Sequence, residues 1–297
     1  MEETPGKASI TKKTIILLLK IAVTIACLWY VATKIDFAKA GAALQKANWF
    51  FLLPAFMVFA ISKIVAAVRL NIYFRNINIH LPQWQNIKLF SLGMFYNLFL
   101  PGAITGDAYK VILLSKRYNI SYKKPTAAVL LDRFSGLLAL GLIVAVYGAI
   151  VLKEKIVVLA LIAAAVLAIP LLFFIVKKYF PDFLPGFWST FILGALVQGC
   201  MLISVYFILF SLSIFSNSNI YIFIFLLAAI ASVLPIAVGG GLGVREFVII
   251  EAAKYAGVDQ HAALLLSLLF YLITVVCSLI GVLFVFKNPV AQKPVVS

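Results

Sequence analysis

Residues 100–107 read Leu100-Pro101-Gly102-Ala103-Ile104-Thr105-Gly106-Asp107. Residues 234–246 read Leu234-Pro235-Ile236-Ala237-Val238-Gly239-Gly240-Gly241-Leu242-Gly243-Val244-Arg245-Glu246. Each break follows an apolar stretch, residues 87–100 or 220–234, and opens a shorter, charged, helix-like piece, residues 107–117 or 244–256. Proline removes a backbone donor and glycine frees the dihedrals, so a straight lipid-facing helix is not expected through either place. A re-entrant hairpin or a broken helix lining a polar cavity fits both.

The rest of the chain says that the surrounding medium is a bilayer. Of its 297 residues, 64% are hydrophobic and only 12% charged. Soluble domains run nearer half apolar and a quarter charged. This excludes an ordinary soluble enzyme, a disordered tail and a nucleic-acid module. A spanning helix needs about 20 mostly apolar residues. Six stretches qualify: 14–32, 49–68, 127–150, 156–176, 187–210 and 262–286. The first carries no small-residue cleavage site and reads as a retained anchor. Trp49, Trp84 and Trp188 lie near span ends, as interfacial aromatics do.

Three clear spans separate the two breaks. An odd number of crossings puts the second break on the opposite face from the first, the pattern of an inverted-repeat transporter. The expected fold is therefore all-α: a polytopic integral membrane helical bundle, with six clear spans plus two re-entrant or broken segments in an inverted repeat. The net charge of +15 suits loops held against anionic headgroups. With both breaks entering and leaving on one side, both termini fall in the cytoplasm. Arg69, Arg75, Lys110, Lys116, Arg117, Lys123 and Lys124 fall there too, as the positive-inside rule requires.

Charges within apolar surroundings are the candidate site, because each costs about 2.5–3.5 kcal/mol at the bilayer centre on insertion scales. Asp107 and Lys110 open the piece after the first break. Asp107 also suits the positive end of a helix dipole. Asp132 and Arg133 are adjacent on the third span, so they point about 100° apart and each needs a partner of its own. Arg133 either snorkels to the headgroups or faces a cavity and meets phosphate. Arg245 and Glu246 follow the glycine run directly. Arg245 beside a helix N-terminus is an anion constellation, or it closes a salt bridge within the bundle, with Asp107 or Glu246.

Other chemistries find no support. Cys27, Cys200 and Cys277 all lie in apolar runs and read as small hydrophobes. His80 and His261 have no acidic companions at ligand spacing, so no metal and no cofactor is expected. Neither an NTP-binding fingerprint nor a nucleophile elbow is present.

The motif set resembles the membrane region of the lysylphosphatidylglycerol synthase/flippase family. It comprises Asn97-Leu98-Phe99-Leu100-Pro101-Gly102, Gly106-Asp107-Ala108 with Lys110, Leu131-Asp132-Arg133-Phe134, and Leu234-Pro235 with Gly239-Gly240-Gly241-Leu242-Gly243-Val244-Arg245-Glu246. The resemblance runs over roughly residues 14 to 286. Ala103, Thr105 and Lys110 depart from it, standing where glycine or arginine is common in the family. Full-length members join this region to a cytoplasmic domain that moves lysine from lysyl-tRNA onto phosphatidylglycerol. This sequence has no counterpart of that domain, so a stand-alone member without transferase activity is expected.

The spans and the charge distribution give a cytoplasmic tail at 1–13, a single transmembrane domain at 14–286 and a cytoplasmic tail at 287–297, and the resemblance implies that this domain is flippase-like. It implies a lipid flippase in the plasma membrane of a prokaryote, acting on an anionic or aminoacylated phospholipid or another polar lipid. Asp107, Lys110, Asp132, Arg133, Arg245 and Glu246 would bind substrate. Asn97, Pro101, Gly102, Gly106, Pro235, Gly239, Gly240, Gly241 and Gly243 would line the cavity. Two alternatives stand beside it. One is a membrane transferase acting on lipid headgroups through Asp107, Asp132 and Arg133. The other is a non-catalytic membrane subunit that positions a separate lipid synthase. Nucleic acid is not an expected partner.

Overall fold

The computed structural model describes residue 45, residues 47–99, 104–233 and 243–285, and residue 289. Among the described residues the protein is all-α, with nine α-helices. They are α1 (Leu52–Arg75), α2 (Gln83–Phe99), α3 (Thr105–Tyr118), α4 (Lys123–Val151), α5 (Lys155–Tyr179), α6 (Phe187–Ser211), α7 (Ser218–Val233), α8 (Val244–Ala256) and α9 (Gln260–Leu279). Short 3-10 turns precede α1 (Trp49–Phe51) and α6 (Pro181–Gly186) and extend α9 (Ile280–Phe284).

Five segments are long and apolar enough to cross a membrane: Trp49–Arg75, Lys123–Val151, Lys155–Tyr179, Pro181–Ser211 and Gln260–Phe284. They correspond to five of the six spans expected from sequence. The expected span at 14–32 lies outside the described residues, as do Pro101, Gly102, Pro235, Gly239, Gly240 and Gly241. The second span runs further than the sequence suggested. α1 continues to Arg75, so Arg69 lies within a helix and is buried, not in a cytoplasmic loop.

Long-range contacts fix which ends meet. At one end, Asn76 Nδ2 donates to the Phe183 carbonyl, Tyr118 Oη to the His80 carbonyl, and Lys124 pairs with Asp182 at 2.9 Å. At the other end, the Asn48 N–H donates to the Ser211 carbonyl. α2 leaves the first end and α3 returns to it, so the two form a helical hairpin. Pairs run antiparallel along it, Tyr96 with Tyr109 and Phe90 with Lys110. α7 and α8 pack together, and their outer ends meet at the second end, where residues 213–217, Tyr221 and residues 257–259 line one surface cavity. The two hairpins therefore enter the bundle from opposite ends.

Local chemistry sets the boundaries. α3 ends at Asn119 in the left-handed region, at φ 51° and ψ 45°, and α8 ends at Gly257, with φ 69°. Asp259 caps α9 by accepting the His261 N–H at 2.9 Å. A large apolar core joins α1, α4, α6, α7, α8 and α9. At its centre, the Phe270 ring meets Phe59 edge-on at 5.3 Å and Phe225 at 4.8 Å. A second core, around Leu70, Phe74, Leu89 and Leu114, ties the first hairpin to α1 and α4. α5 is different: its most apolar window has none of its residues buried within the protein. In water that face would need a partner; in a bilayer the acyl chains supply one.

Glycine makes the first hairpin close. A Cβ on Gly106 would land on the Gly93 carbonyl, and one on Gly93 would strike the Lys110 side chain. The clash at Gly106 is with backbone, which cannot swing aside. Gly106→Ala is therefore expected to destabilise the protein by about 1–3 kcal/mol, the usual range for overpacking. Thermal unfolding in detergent reads this as a lowered Tm, and a wild-type Tm would show that α2 and α3 do not approach this closely.

Candidate functional site

The tip of the first hairpin is organised by Asn97 of α2. Its Oδ1 accepts the Gly106 N–H at 2.8 Å, and its Nδ2 faces Asp107 Oδ1 at 3.5 Å. Ile104, the residue at the α3 N-cap, offers no side-chain acceptor, so Asn97 caps the helix from across the hairpin. Asp107 then sits in the first turn of α3, where the helix dipole favours a negative charge. It is buried and takes two cations. Lys110 Nζ lies 2.9 Å from Oδ1, while Arg133 Nε and Nη2 each lie 2.6 Å from Oδ2. Lys110 is held further by the Phe90 ring, 4.8 Å below its ammonium.

The neighbouring residue on α4 turns the other way. Asp132 Oδ1 accepts from Arg69 Nε at 2.7 Å, and both side chains are buried. Arg69 Nη1 is buried and has no hydrogen-bond partner. It lies 3.4 Å and 3.3 Å from where Cβ atoms would stand on Gly136 and Gly194, so these two glycines make room for the guanidinium. The pair anchors α4 to α1 and fixes its rotation. With Asp132 drawn inward, Arg133 points to the cleft between α3 and α4.

That cleft is an open groove of about 250 Å³, lined by Ile104, Asp107, Ala108, Val111, Ile112, Thr126, Val129, Leu130 and Arg133. Its walls are apolar apart from Thr126 and the Asp107–Arg133 pole. Arg133 is four residues from the midpoint of α4, or about 6 Å along the axis. The polar pole therefore lies well inside the length of this candidate span and not at its end. The Arg133 side chain is 34% exposed, against 12% for Asp107 and 5% for Lys110. Arg133 is the charge that a ligand in the groove would touch.

A second charged cluster sits at the tip of the other hairpin. Gly243, at φ 85°, precedes α8, and its N–H donates to Glu246 Oε2 at 2.8 Å. Glu246 Oε1 accepts from Arg245 Nε at 3.0 Å, from Arg245 Nη2 at 2.7 Å and from Ser267 Oγ at 3.3 Å. Arg245 Nη2 also reaches the Ser267 carbonyl at 3.3 Å, and its guanidinium lies 5.3 Å from the Tyr271 ring centre. Both residues are buried, so of the two sequence readings for Arg245 the salt bridge with Glu246 is the one formed.

Of the six expected binding residues, Asp107, Lys110 and Arg133 come together with Asn97 and Gly106. Asp132 lies behind them, and Arg245 and Glu246 form their own cluster with Gly243. Arg69 is the member of these charged clusters that the sequence did not indicate. The available signal was the unpaired Asp132, which required a cation from another helix. Among the described residues, no group of three or more His, Cys, Asp or Glu side chains is placed to hold a metal ion.

Opposed hairpins, ion pairs deep in apolar surroundings and five spanning helices define a multi-pass membrane protein with a charged, laterally open groove. Residues 17–186 match the family model described as the lysylphosphatidylglycerol synthase TM region, and the chain belongs to that family. It is also similar to the UPF0104 membrane protein PH1989 of Pyrococcus horikoshii, 31% identical over 124 residues. That alignment covers 41% of this chain and 36% of the relative, so the match spans about a third of the relative's length.

Removing one member of a buried ion pair typically costs about 3–5 kcal/mol, whereas replacing both by apolar residues is close to neutral. Arg69→Leu is expected to lower stability by about that amount, and Arg69→Leu/Asp132→Leu to restore most of it. Chemical unfolding in detergent checks this; a double variant as unstable as the single one would contradict the pairing.

Proposed function

We propose that the protein is a flippase-like transporter that moves phospholipid headgroups between the leaflets of a prokaryotic plasma membrane. The observation that carries the reading is the groove between α3 and α4. It is apolar along its walls, open to the side and has Arg133 at its deep end. Acyl chains fit the walls, and a phosphate fits the guanidinium. A headgroup held there is partway across the hydrocarbon, where an unassisted phosphate has no polar partner. Family membership and the two opposed hairpins support the same reading, since opposed broken elements allow a site to face each side in turn.

The orientation follows from charge. Arg75, Lys116, Arg117, Lys123, Lys124, Lys177 and Lys178 gather at the end where the first hairpin begins, whereas Lys153, Lys155 and Lys254 lie at the other. The first end is taken as cytoplasmic, with both termini on that side.

In proteoliposomes carrying fluorescent phosphatidylglycerol, the protein is expected to make inner-leaflet label accessible to an external quencher. Arg133→Gln should cut the initial rate by about tenfold or more, in line with the loss of a charge-assisted contact to phosphate. Equal rates for the variant and wild type would remove Arg133 from the path, and absence of translocation by wild type would remove the transport reading.

A further inference from the structure

A lysine at the middle of a spanning helix needs a reason, and Lys63 stands there. α1 runs from Leu52 to Arg75, which puts Lys63 at its midpoint. The hydrocarbon extends about 15 Å either way from such a level, further than a lysine side chain can snorkel. A cation held at that depth is costly, and it marks a functional position unless the fold supplies a counter-charge.

For Lys63 the fold supplies none among the described residues. Arg69, Lys110, Arg133 and Arg245 each hold a carboxylate, at 2.6–2.9 Å. Lys63 Nζ instead lies 3.8 Å from Met201 Sδ and 4.3 Å from the centre of the Phe59 ring. Its titratable neighbours are the Cys277 thiol and Arg69, whose charge is matched by Asp132. A thioether is a weak acceptor, and a ring face holds an ammonium less firmly than a carboxylate does. Methionine is also unbranched and adaptable, so Met201 can give way.

The side chain is placed to be reached. Lys63 is half-buried, whereas Arg69 and Arg245 are buried. It lies about 120° round α1 from the exposed apolar stripe of Leu53, Met57, Ile61 and Ile64. It flanks instead the seam with α6 and α9, where Met201 meets its ammonium and Phe270 meets Phe59. The Arg69–Asp132 bond sets α1 and α4 in register. Lys63 is six residues before Arg69, so it stands about 9 Å past that level, away from the end taken as cytoplasmic.

We propose that Lys63 is a second phosphate position for a lipid headgroup, at the middle of the bilayer and beyond the level of Arg133, where the ammonium exchanges its thioether contact for a phosphodiester oxygen. This rests on the transport reading and adds to it the residue that meets the phosphate at the deepest level.

The test makes Lys63→Met and Lys63→Arg in the full chain. Translocation is read with fluorescent phosphatidylglycerol in proteoliposomes, and stability as Tm in detergent. Lys63→Met is expected to raise Tm, because an unpaired charge leaves apolar surroundings, and yet to cut the initial rate by about tenfold. Lys63→Arg keeps a cation in place and is expected to keep most of the rate. A full rate in Lys63→Met overturns the proposal. A rate lost together with a lowered Tm makes Lys63 a packing residue and overturns it too, as does a Lys63→Arg variant no faster than Lys63→Met.

If wild type itself moves no lipid, the transport reading fails and binding decides Lys63 separately. Phosphatidylglycerol carried through size exclusion from doped micelles is then counted by mass spectrometry. Lys63→Met is expected to bind it about tenfold more weakly than wild type. Equal retention overturns the phosphate position. Displacement of the Lys63-dependent lipid by excess glycerol 3-phosphate makes the position a soluble phosphate site and overturns the lipid assignment.

Discussion

A carboxylate buried in hydrocarbon must be given its counter-charges by the fold, and Asp107 receives two. Lys110 comes from its own helix and Arg133 from α4. The Arg69–Asp132 pair then carries the linkage from α4 to α1. With Asn97 of α2 capping the hairpin tip, one run of polar contacts joins α2, α3, α4 and α1 across a bundle otherwise held by apolar packing. Water would weaken each of these bonds by competing for it. In the bilayer that competition is removed, and leaving a charge unpaired becomes the costly alternative.

The groove is a consequence of this arrangement. The first hairpin closes tightly on itself because Gly93 and Gly106 carry no side chains, but it meets α4 through a limited contact with Arg133 at its heart. The mostly apolar walls of α3 and α4 line the groove that runs from that contact. The second hairpin solves the same problem differently. Glu246 binds its own helix start, Arg245 and Ser267 at once, and so closes its cluster internally. One hairpin tip thus exposes part of a cation and the other buries its pair. The helix N-termini themselves are occupied by Asn97 and Glu246, so anion recognition falls on a guanidinium more than on bare backbone.

Most of the fold was legible in the sequence because the bilayer makes hydropathy decisive. Five spans and both charged half-helices appear where apolar runs and Pro-Gly breaks put them, and α8 has the expected bounds of Val244–Ala256. The divergence of Asp132 and Arg133 followed from helix geometry alone. Arg69 did not, because the hydropathy reading closed that span at Val68, one residue short of it, and only the packing of α1 on α4 shows that this charge is buried against another. The cap from Asn97 to Gly106 and the seat of Lys110 on Gly93 were equally hidden. They depend on how closely two helices approach, which no single helix encodes.

The most direct measurement is an experimental structure of the full chain in lipid nanodiscs containing phosphatidylglycerol. Density for a phosphate within hydrogen-bonding distance of Arg133, with acyl-chain density along Val111, Ile112, Val129 and Leu130, is the expected result. A groove filled by protein side chains, or lipid bound only elsewhere with Arg133 turned away from it, would contradict the assignment of this cleft as the headgroup site.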